Sequence, residues 1–514
     1  MTFVYRGAES LGLEYLSAVL RAAGHETKLA FDPGLFDDKR YLKSRRLGDL
    51  LSYRRHLLGD IARSKPDLVA ISVVTDFSRW ALDVAEWVKS HLGVTVVFGG
   101  IHPTSLPEAV LGNACVDYVV VGEGEYPLRD LAAALENGRD PAGIPNLGYR
   151  SDGRVVLNEV RPLLDPLDQL PFPDKNLFAG CTPIAGDYRI VTSRGCLYRC
   201  TYCYNNLMYR LYRDKGKVFR KRSPANTLQE LGWAADRYRI RAVNFLDDLF
   251  TGDMDWLKDF LPAYRREIGR PFKCTTHPSL MPRDVVRLLK ECGCYRIMIG
   301  VQSLWAPSRK QMLGRGEENE QILAAVDHCE TEGLDYSIDH ILGIPGEGTE
   351  SLMAAATFYS ERSRRMKRIK CFYLSYYPNT DIVDLAHRAG ALSEADVNNI
   401  GASDADQFFF SDSLTERDPA LALAVRDFEV YFKLLPVLSR GMRTFILRSR
   451  LFRRLRLIPA AVVILVEFVL MLLTGDHSMF VYFRYYMTGI PRGLVRMMSP
   501  SPDLHGTGAP PPER

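Results

Sequence analysis

Short apolar runs rich in Val and Ile recur along this chain with helix-compatible stretches between them, and that alternation leaves few folds open. A parallel strand covered on both faces reads as a continuous hydrophobic run, and parallel neighbours need long crossovers between them. Five such runs open the chain: Phe3 to Tyr5, Thr27 to Ala30, Leu68 to Ser72, Thr95 to Phe98 and Tyr118 to Val121. They predict a doubly wound, Rossmann-like α/β domain over residues 1–140. Pro162, Pro166, Pro171 and Pro173 break the rhythm, so residues 141–184 are expected to be a linker. Six further runs follow, Tyr188 to Thr192, Ala242 to Leu246, Phe272 to Thr276, Arg296 to Val301, Leu334 to Leu342 and Lys370 to Leu374. They predict a partial (β/α)6 barrel of the TIM type over residues 185–400. A helical carboxyl-terminal region is expected over 401–498, and the Pro-, Gly- and Ser-rich residues 499–514 read as a disordered tail. A length of 514 residues suits several such units.

Charge and cysteine usage narrow the class. A net charge of +4 supplies no field for a polyanion, so nucleic acid is not expected as a partner. The first residues carry no basic stretch leading into an apolar run, and Glu9 comes early, so a cytoplasmic location is expected. Ten cysteines are too sparse for a disulfide framework in a chain of this length and suit a reducing compartment.

Three of them are grouped. The first barrel strand runs into Ser193-Arg-Gly-Cys196-Leu-Tyr-Arg-Cys200-Thr-Tyr-Cys203-Tyr, a CxxxCxxC loop. Three thiolates from Cys196, Cys200 and Cys203 can hold three corners of a 4Fe-4S cube and leave the fourth iron open. A zinc loop is the bland alternative, but zinc normally takes four protein ligands and no nearby Cys or His pair completes a set. Cys115, Cys181, Cys274, Cys292, Cys294, Cys329 and Cys371 are scattered and read as ordinary buried thiols.

The loop and its context resemble the radical S-adenosylmethionine superfamily. The resemblance implies that the open iron chelates the amino and carboxylate groups of S-adenosylmethionine and passes an electron into its sulfonium. It also implies that Tyr202, the aromatic residue before the last cysteine, lies near the adenine. Asp247 and Asp248 end the second barrel strand, where the family carries polar groups toward the methionine amino group; a helix cap is the alternative for Asp248. Gly300-Val-Gln302-Ser303 is similar to the family's Gly-Ile-Glu-Ser segment, and Pro345 stands in a glycine-proline segment like the one beside the adenine.

In the first domain, ligands of a doubly wound sheet sit beyond the carboxyl ends of the strands, where glycine allows close backbone approach. Ser72 and Thr75, then Gly99, Gly100 and His102, then Gly122, Glu123, Gly124 and Glu125 occupy those loops. With Ser10-Leu-Gly12 and Gly24-His25 they resemble the cobalamin-binding domain of one large radical subclass, so cobalamin is expected as a third cofactor. The Asp-x-His-x-x-Gly motif that supplies an imidazole to cobalt does not occur, and His102 is expected to hydrogen-bond the corrin periphery rather than cobalt.

Two further stretches remain open in reading. Arg210, Arg213, Lys215, Lys217, Arg220, Lys221 and Arg222 form either a solvated face or a dock for a flavodoxin- or ferredoxin-like electron donor. Leu457 to Leu473, apolar except at Glu467, is flanked by Arg448, Arg450, Arg453, Arg454 and Arg456 before it and Arg484, Arg492 and Arg496 after it. With Phe480, Tyr482, Phe483, Tyr485 and Tyr486, it suits either a helix on the cytoplasmic membrane face or a helix against the barrel.

The leading expectation is a cobalamin-dependent radical methyltransferase acting on an unactivated carbon of a small-molecule or lipid substrate. An oxidative cyclase or rearrangement enzyme with the same cofactors is the alternative, since fold and cofactor do not fix the outcome. A methylthiotransferase would carry extra amino-terminal cysteines, and only Cys115 lies there. A non-catalytic iron-sulfur sensor is the reading outside enzymology.

Overall fold

A computed structural model of the chain describes residues 1–35, 53–181, 186–361, 364–402 and 418–458, with scattered positions between 462 and 490. The five expected runs become strands β1 (Thr2–Arg6), β2 (Lys28–Asp32), β3 (Leu68–Ser72), β4 (Thr95–Gly99) and β5 (Tyr118–Val120), all paired in parallel. Helices Leu11–Ala22, Arg54–Ser64, Ser78–Leu92 and Glu125–Glu136 cover the sheet. Val4, Val69 and Val96 are fully buried beneath them, which is why the strands read as unbroken apolar runs.

The segment expected as a linker contributes to this sheet. Strands β6 (Leu147–Ser151) and β7 (Arg154–Leu157) extend it antiparallel beyond β5, giving the order β2-β1-β3-β4-β5-β6-β7. Asp152 and Gly153 join them at φ 50° and 73°, the left-handed pair that a two-residue hairpin turn demands. The edge strand β7 is largely exposed and so carries no apolar run. The same segment contributes Lys175, 1% exposed, whose ammonium bridges Glu9 at 2.8 Å and Glu14 at 2.7 Å. A buried lysine between two carboxylates fastens the segment to the first helix.

In the second unit β8 (Gly186–Ile190) is followed by a short antiparallel ribbon, β9 (Ser193–Arg194) with β10 (Arg220–Lys221). Strands β11 (Ile240–Phe245), β12 (Phe272–Thr276), β13 (Cys294–Gln302), β14 (Tyr336–Leu342) and β15 (Met366–Tyr373) complete the sheet. Its order is sequential, β8-β11-β12-β13-β14-β15, and every neighbouring pair is parallel. That is the expected arc of six βα units.

Helix Pro419–Leu434 buries Phe428, Tyr431 and Phe432 in the barrel core, and Phe452 stacks on Phe428 at 4.5 Å. Residues 418–458 therefore pack on the barrel, and Arg453 and Arg456 both face Asp427. Glu467, Phe480 to Tyr485, Arg492, Arg496 and residues 499–514 lie outside the described residues. Among the described residues no helix is long and apolar enough to cross a membrane.

Candidate functional site

Strand β8 delivers the chain to Thr192 and Ser193, where a buried carboxylate fixes its direction. Asp247, just past β11, accepts from the Thr192 amide at 3.1 Å, from the Thr192 hydroxyl at 2.7 Å and from the Ser193 hydroxyl. At 2% exposure it braces the approach to the cysteine loop. Asp248 turns the other way. It lines an open cavity and accepts from Asn205 Nδ2 at 2.9 Å, and burial raises its carboxyl above the ordinary range. The cap of the next helix is Asp253, so Asp248 is not spent there.

Gly195, at φ +77°, then lets the chain pass under Val218, whose carbonyl a Cβ would strike. Cys196, Cys200 and Cys203 follow in one turn; the Tyr209 hydroxyl donates to the Cys196 carbonyl at 2.6 Å, and the Thr201 amide donates to the Leu313 carbonyl at 3.1 Å. Burial pushes the Cys196 thiol up to about 11 and the Cys203 thiol up to about 12, and it raises Cys200 as well. Thiols held this way become thiolates only when a metal supplies positive charge. Among the described residues no three His, Cys, Asp or Glu side chains converge on a single ion. A four-iron cube takes one thiolate per iron, so three ligands standing apart on one loop fit the cube.

The other barrel strands bring the remaining expected residues around this loop. Tyr202 packs against the apolar cluster that includes Leu313 and Ile344, Gln302 ends β13 in a left-handed conformation at φ 64°, and Pro345 follows buried Ile344 past β14. A glutamine held at positive φ is strained, the kind of conformation that functional sites retain. Gly300 offers its carbonyl to Arg315 Nη2 at 2.5 Å. Ser303 is turned inward, donating to Glu347 at 2.5 Å and accepting from the Trp305 amide at 3.0 Å, so it supports the turn rather than facing a ligand.

A polar relay that the sequence reading passed over joins these elements. Arg315, 5% exposed, reaches Cys200 and Tyr202 and pairs with Glu317 at 2.7 Å. His277 beyond β12 faces Glu317 at 3.4 Å and stacks on Tyr198 of the cysteine loop at 3.8 Å. Burial opposes the charge of Glu317, but His277 and Arg315 outweigh it and hold the carboxyl at about 2. The one signal in the sequence was Arg315 standing between two glycines soon after Gln302.

Burial lifts the Glu347 carboxyl from 4.5 to about 7. The folded value exceeds the unfolded one, so stability from this group is complete below about 4.5 and is lost as pH rises through about 7. Glu347→Gln keeps an oxygen for Ser303. It is expected to remove about 3 kcal/mol of stability loss between pH 4 and pH 8, read as the difference between urea melts of the two proteins.

The first domain meets this site across a cavity of about 450 Å³. Ser72, Gly99, Gly100, Gly122 and Gly124 form one wall, and Ser193, Gly195, Asn205 and Asp248 form the other. His102 and Thr75 do not line it: they bond to each other at 3.3 Å behind the Gly99–Gly100 turn, and burial lowers His102 to about 4. Glu123 and Glu125, also expected there, are held by barrel cations: Arg194 lies 3.2 Å from Glu123 and 2.5 Å from Glu125, and Arg220 lies 2.5 Å from Glu123. They rim the cavity by clamping the two domains together.

Residues 190–359 match the Radical SAM superfamily and residues 4–132 match the B12 binding domain family. The chain is similar to an uncharacterized methyltransferase of Pyrococcus horikoshii, 29% identical over 68% of this chain and 72% of that one. It is also similar to the cytidylyl-2-hydroxyethylphosphonate methyltransferase of Streptomyces wedmorensis, 25% identical over 68% of this chain and 73% of that one. In fold it is similar to the cobalamin-dependent S-adenosylmethionine radical enzyme OxsB, with a TM-score of 0.62 at 18% identity over 98% of this chain and 82% of that one.

Proposed function

The chain belongs to the radical S-adenosylmethionine superfamily and carries an amino-terminal B12-binding domain, and on that premise we propose that it transfers a methyl group to an unactivated carbon of its substrate. The cofactors of these two domains are a 4Fe-4S cluster, S-adenosylmethionine and cobalamin. When bound, the first two generate a hydrogen-abstracting radical by one-electron cleavage, and the third carries the methyl group.

The chain's own residues supply grip and orientation. Cys196, Cys200 and Cys203 would hold three irons. Arg315, fixed by Glu317 and the Gly300 carbonyl, directs a guanidinium at the loop, where the carboxylate of S-adenosylmethionine is its natural partner. Gln302 offers an amide to a ribose, Tyr202 an aromatic face to adenine, and Asp248 a carboxylate to the methionine ammonium. Ser72, Gly99, Gly100, Gly122 and Gly124 admit cobalamin by backbone approach, while Thr75, His102, Glu123 and Glu125 support that wall from behind or from its rim.

The observation that carries the reading is the shared cavity: residues of the B12-binding domain and of the cluster loop line one space. The methyltransferase names of two relatives favour methyl transfer over cyclisation. Anaerobic reconstitution with iron, sulfide and cobalamin, followed by optical spectra and product mass, tests it. Retained corrinoid and a product heavier by one methylene are expected. Failure to retain corrinoid removes the methyl-transfer reading, and an oxidised product of lower mass replaces it with cyclisation.

A further inference from the structure

Two basic stretches meet different fates in the fold. In the one after the cluster loop, Arg220 and Arg222 are buried against Glu123 and Glu230, and Arg210 and Lys215 pair with Asp381 and Glu159. The second lies between Glu429 and Glu467, where the sequence holds seven arginines and Lys433 with no Asp or Glu among them. Lys433 pairs back to Glu429, and Arg453 and Arg456 pair with Asp427. Arg443 is buried and donates to the Leu435 carbonyl at 3.0 Å. Arg440, Arg448, Arg450 and Arg454 remain. All four are exposed, and among the described residues none has an ion-pair partner.

Apolar side chains stand among them. Helix Arg440–Arg448 turns Ile446 into the barrel core and buries Arg443 beside it, three residues apart on one face. Met442, Phe445 and Arg448, at the same spacing, take another face, and Phe445 is 64% exposed. Leu451 and Leu457 are exposed further on, Leu457 at 75%, and from Leu457 to Val466 the sequence carries no polar side chain. Apolar groups exposed together in one short stretch mark a surface that meets a partner. Single-stranded nucleic acid calls for several aromatic platforms, and of these four apolar groups only Phe445 can stack on a base. Cations interleaved with aliphatic side chains match the interface of an anionic bilayer, where guanidinium groups meet lipid phosphates and apolar groups enter the acyl boundary.

We propose that this carboxyl-terminal surface docks the protein on an anionic lipid bilayer. The four arginines draw it to the lipid phosphates, and Phe445 and the leucines hold it there by leaving water. Ile446 and Phe452 of the same helices stay packed in the barrel core, so docking requires no unfolding. The two contributions answer differently to salt, because charge attraction is screened and apolar burial is not. Methyl transfer and cyclisation are equally compatible with it, so the inference stands apart from the reaction.

The test floats the full chain with vesicles of phosphatidylcholine alone, or of phosphatidylcholine mixed with phosphatidylglycerol. Binding to the mixed vesicles and not to the neutral ones is expected in low salt. Arg448→Glu with Arg454→Glu should weaken that binding by about tenfold or more, whereas Arg448→Lys with Arg454→Lys should keep it. Met442→Ser with Phe445→Ser should weaken it by about fivefold and leave what remains more sensitive to salt. Arg139→Glu with Arg154→Glu, on exposed cations of the first domain, should bind as the unaltered chain does. Every altered side chain is exposed, so urea melts of all four variants should superimpose on that of the unaltered chain. Binding unchanged by both the charge reversal and the serine pair overturns the proposal, and so does equal flotation with the two vesicle compositions. An equal loss in the Arg139/Arg154 control overturns it too, by marking the attraction as general charge. So does a chain that binds mixed-sequence single-stranded RNA through these arginines and neither kind of vesicle.

Discussion

Protein in which Cys196, Cys200 and Cys203 are all replaced by alanine is expected to take up no four-iron centre under anaerobic reconstitution and to form no 5′-deoxyadenosine above background. The reason is the number and setting of the donors. No other three cysteines stand within eight residues of one another in the sequence, and Cys274, Cys292, Cys294 and Cys329 are buried in the barrel core. Iron and sulfide content, together with the visible absorbance of the cluster, gives the first readout; liberated adenosyl product gives the second. As a control, Cys329→Ala should cost about 1 to 2 kcal/mol of stability through a small cavity while keeping full iron content. Substantial iron in the triple variant would sink the assignment of the loop.

Gly122→Ala is expected to lower stability by about 2 to 4 kcal/mol and to abolish retention of corrinoid after gel filtration. Gly122 sits at φ +81°, and a Cβ there would collide with the Tyr212 hydroxyl and ring. That hydroxyl cannot simply retreat. It accepts from the Glu123 amide at 2.8 Å and from Asn146 Nδ2 at 3.3 Å, so moving it strips the Glu123 amide of its partner and leaves Asn146 Nδ2 with the Val121 carbonyl alone. Tyr212→Ala alone should also destabilise, by opening a cavity. The double variant should lose less than the sum of the two, because the collision is gone and only backbone strain and the cavity remain. Additive losses in urea melts would mean that the ring is not what makes glycine necessary.

The sequence showed the strands of both units for one physical reason. Each is parallel and covered on both faces, so its apolar run is continuous and local. The hairpin of β6 and β7 was hidden because β7 is an exposed edge strand and so carries no apolar run to mark it. The roles of the paired aspartates could not be separated in the same way. Asp247 and Asp248 are neighbours in the chain, and only the packing of β8 against β11 turns the first toward Thr192 and the second toward the cavity. The acidic pair Glu123 and Glu125 looked free for a ligand until the fold brought Arg194 and Arg220 to them.

What the residues determined by themselves was everything that depends on short spacing: the strand and helix alternation, and a cysteine loop able to grip three corners of a cube. What the tertiary structure decided was everything that depends on which distant charges meet. Glu123 finds its cations 71 and 97 positions further along; Arg315 finds Cys200 across the barrel mouth; among the described residues Arg213 and Lys217 have no ion-pair partner, while Arg220 and Arg222 a few positions on are buried in pairs. Local periodicity is written in the order of the residues, whereas the pairing of far-separated charges follows from the packing of whole strands and domains.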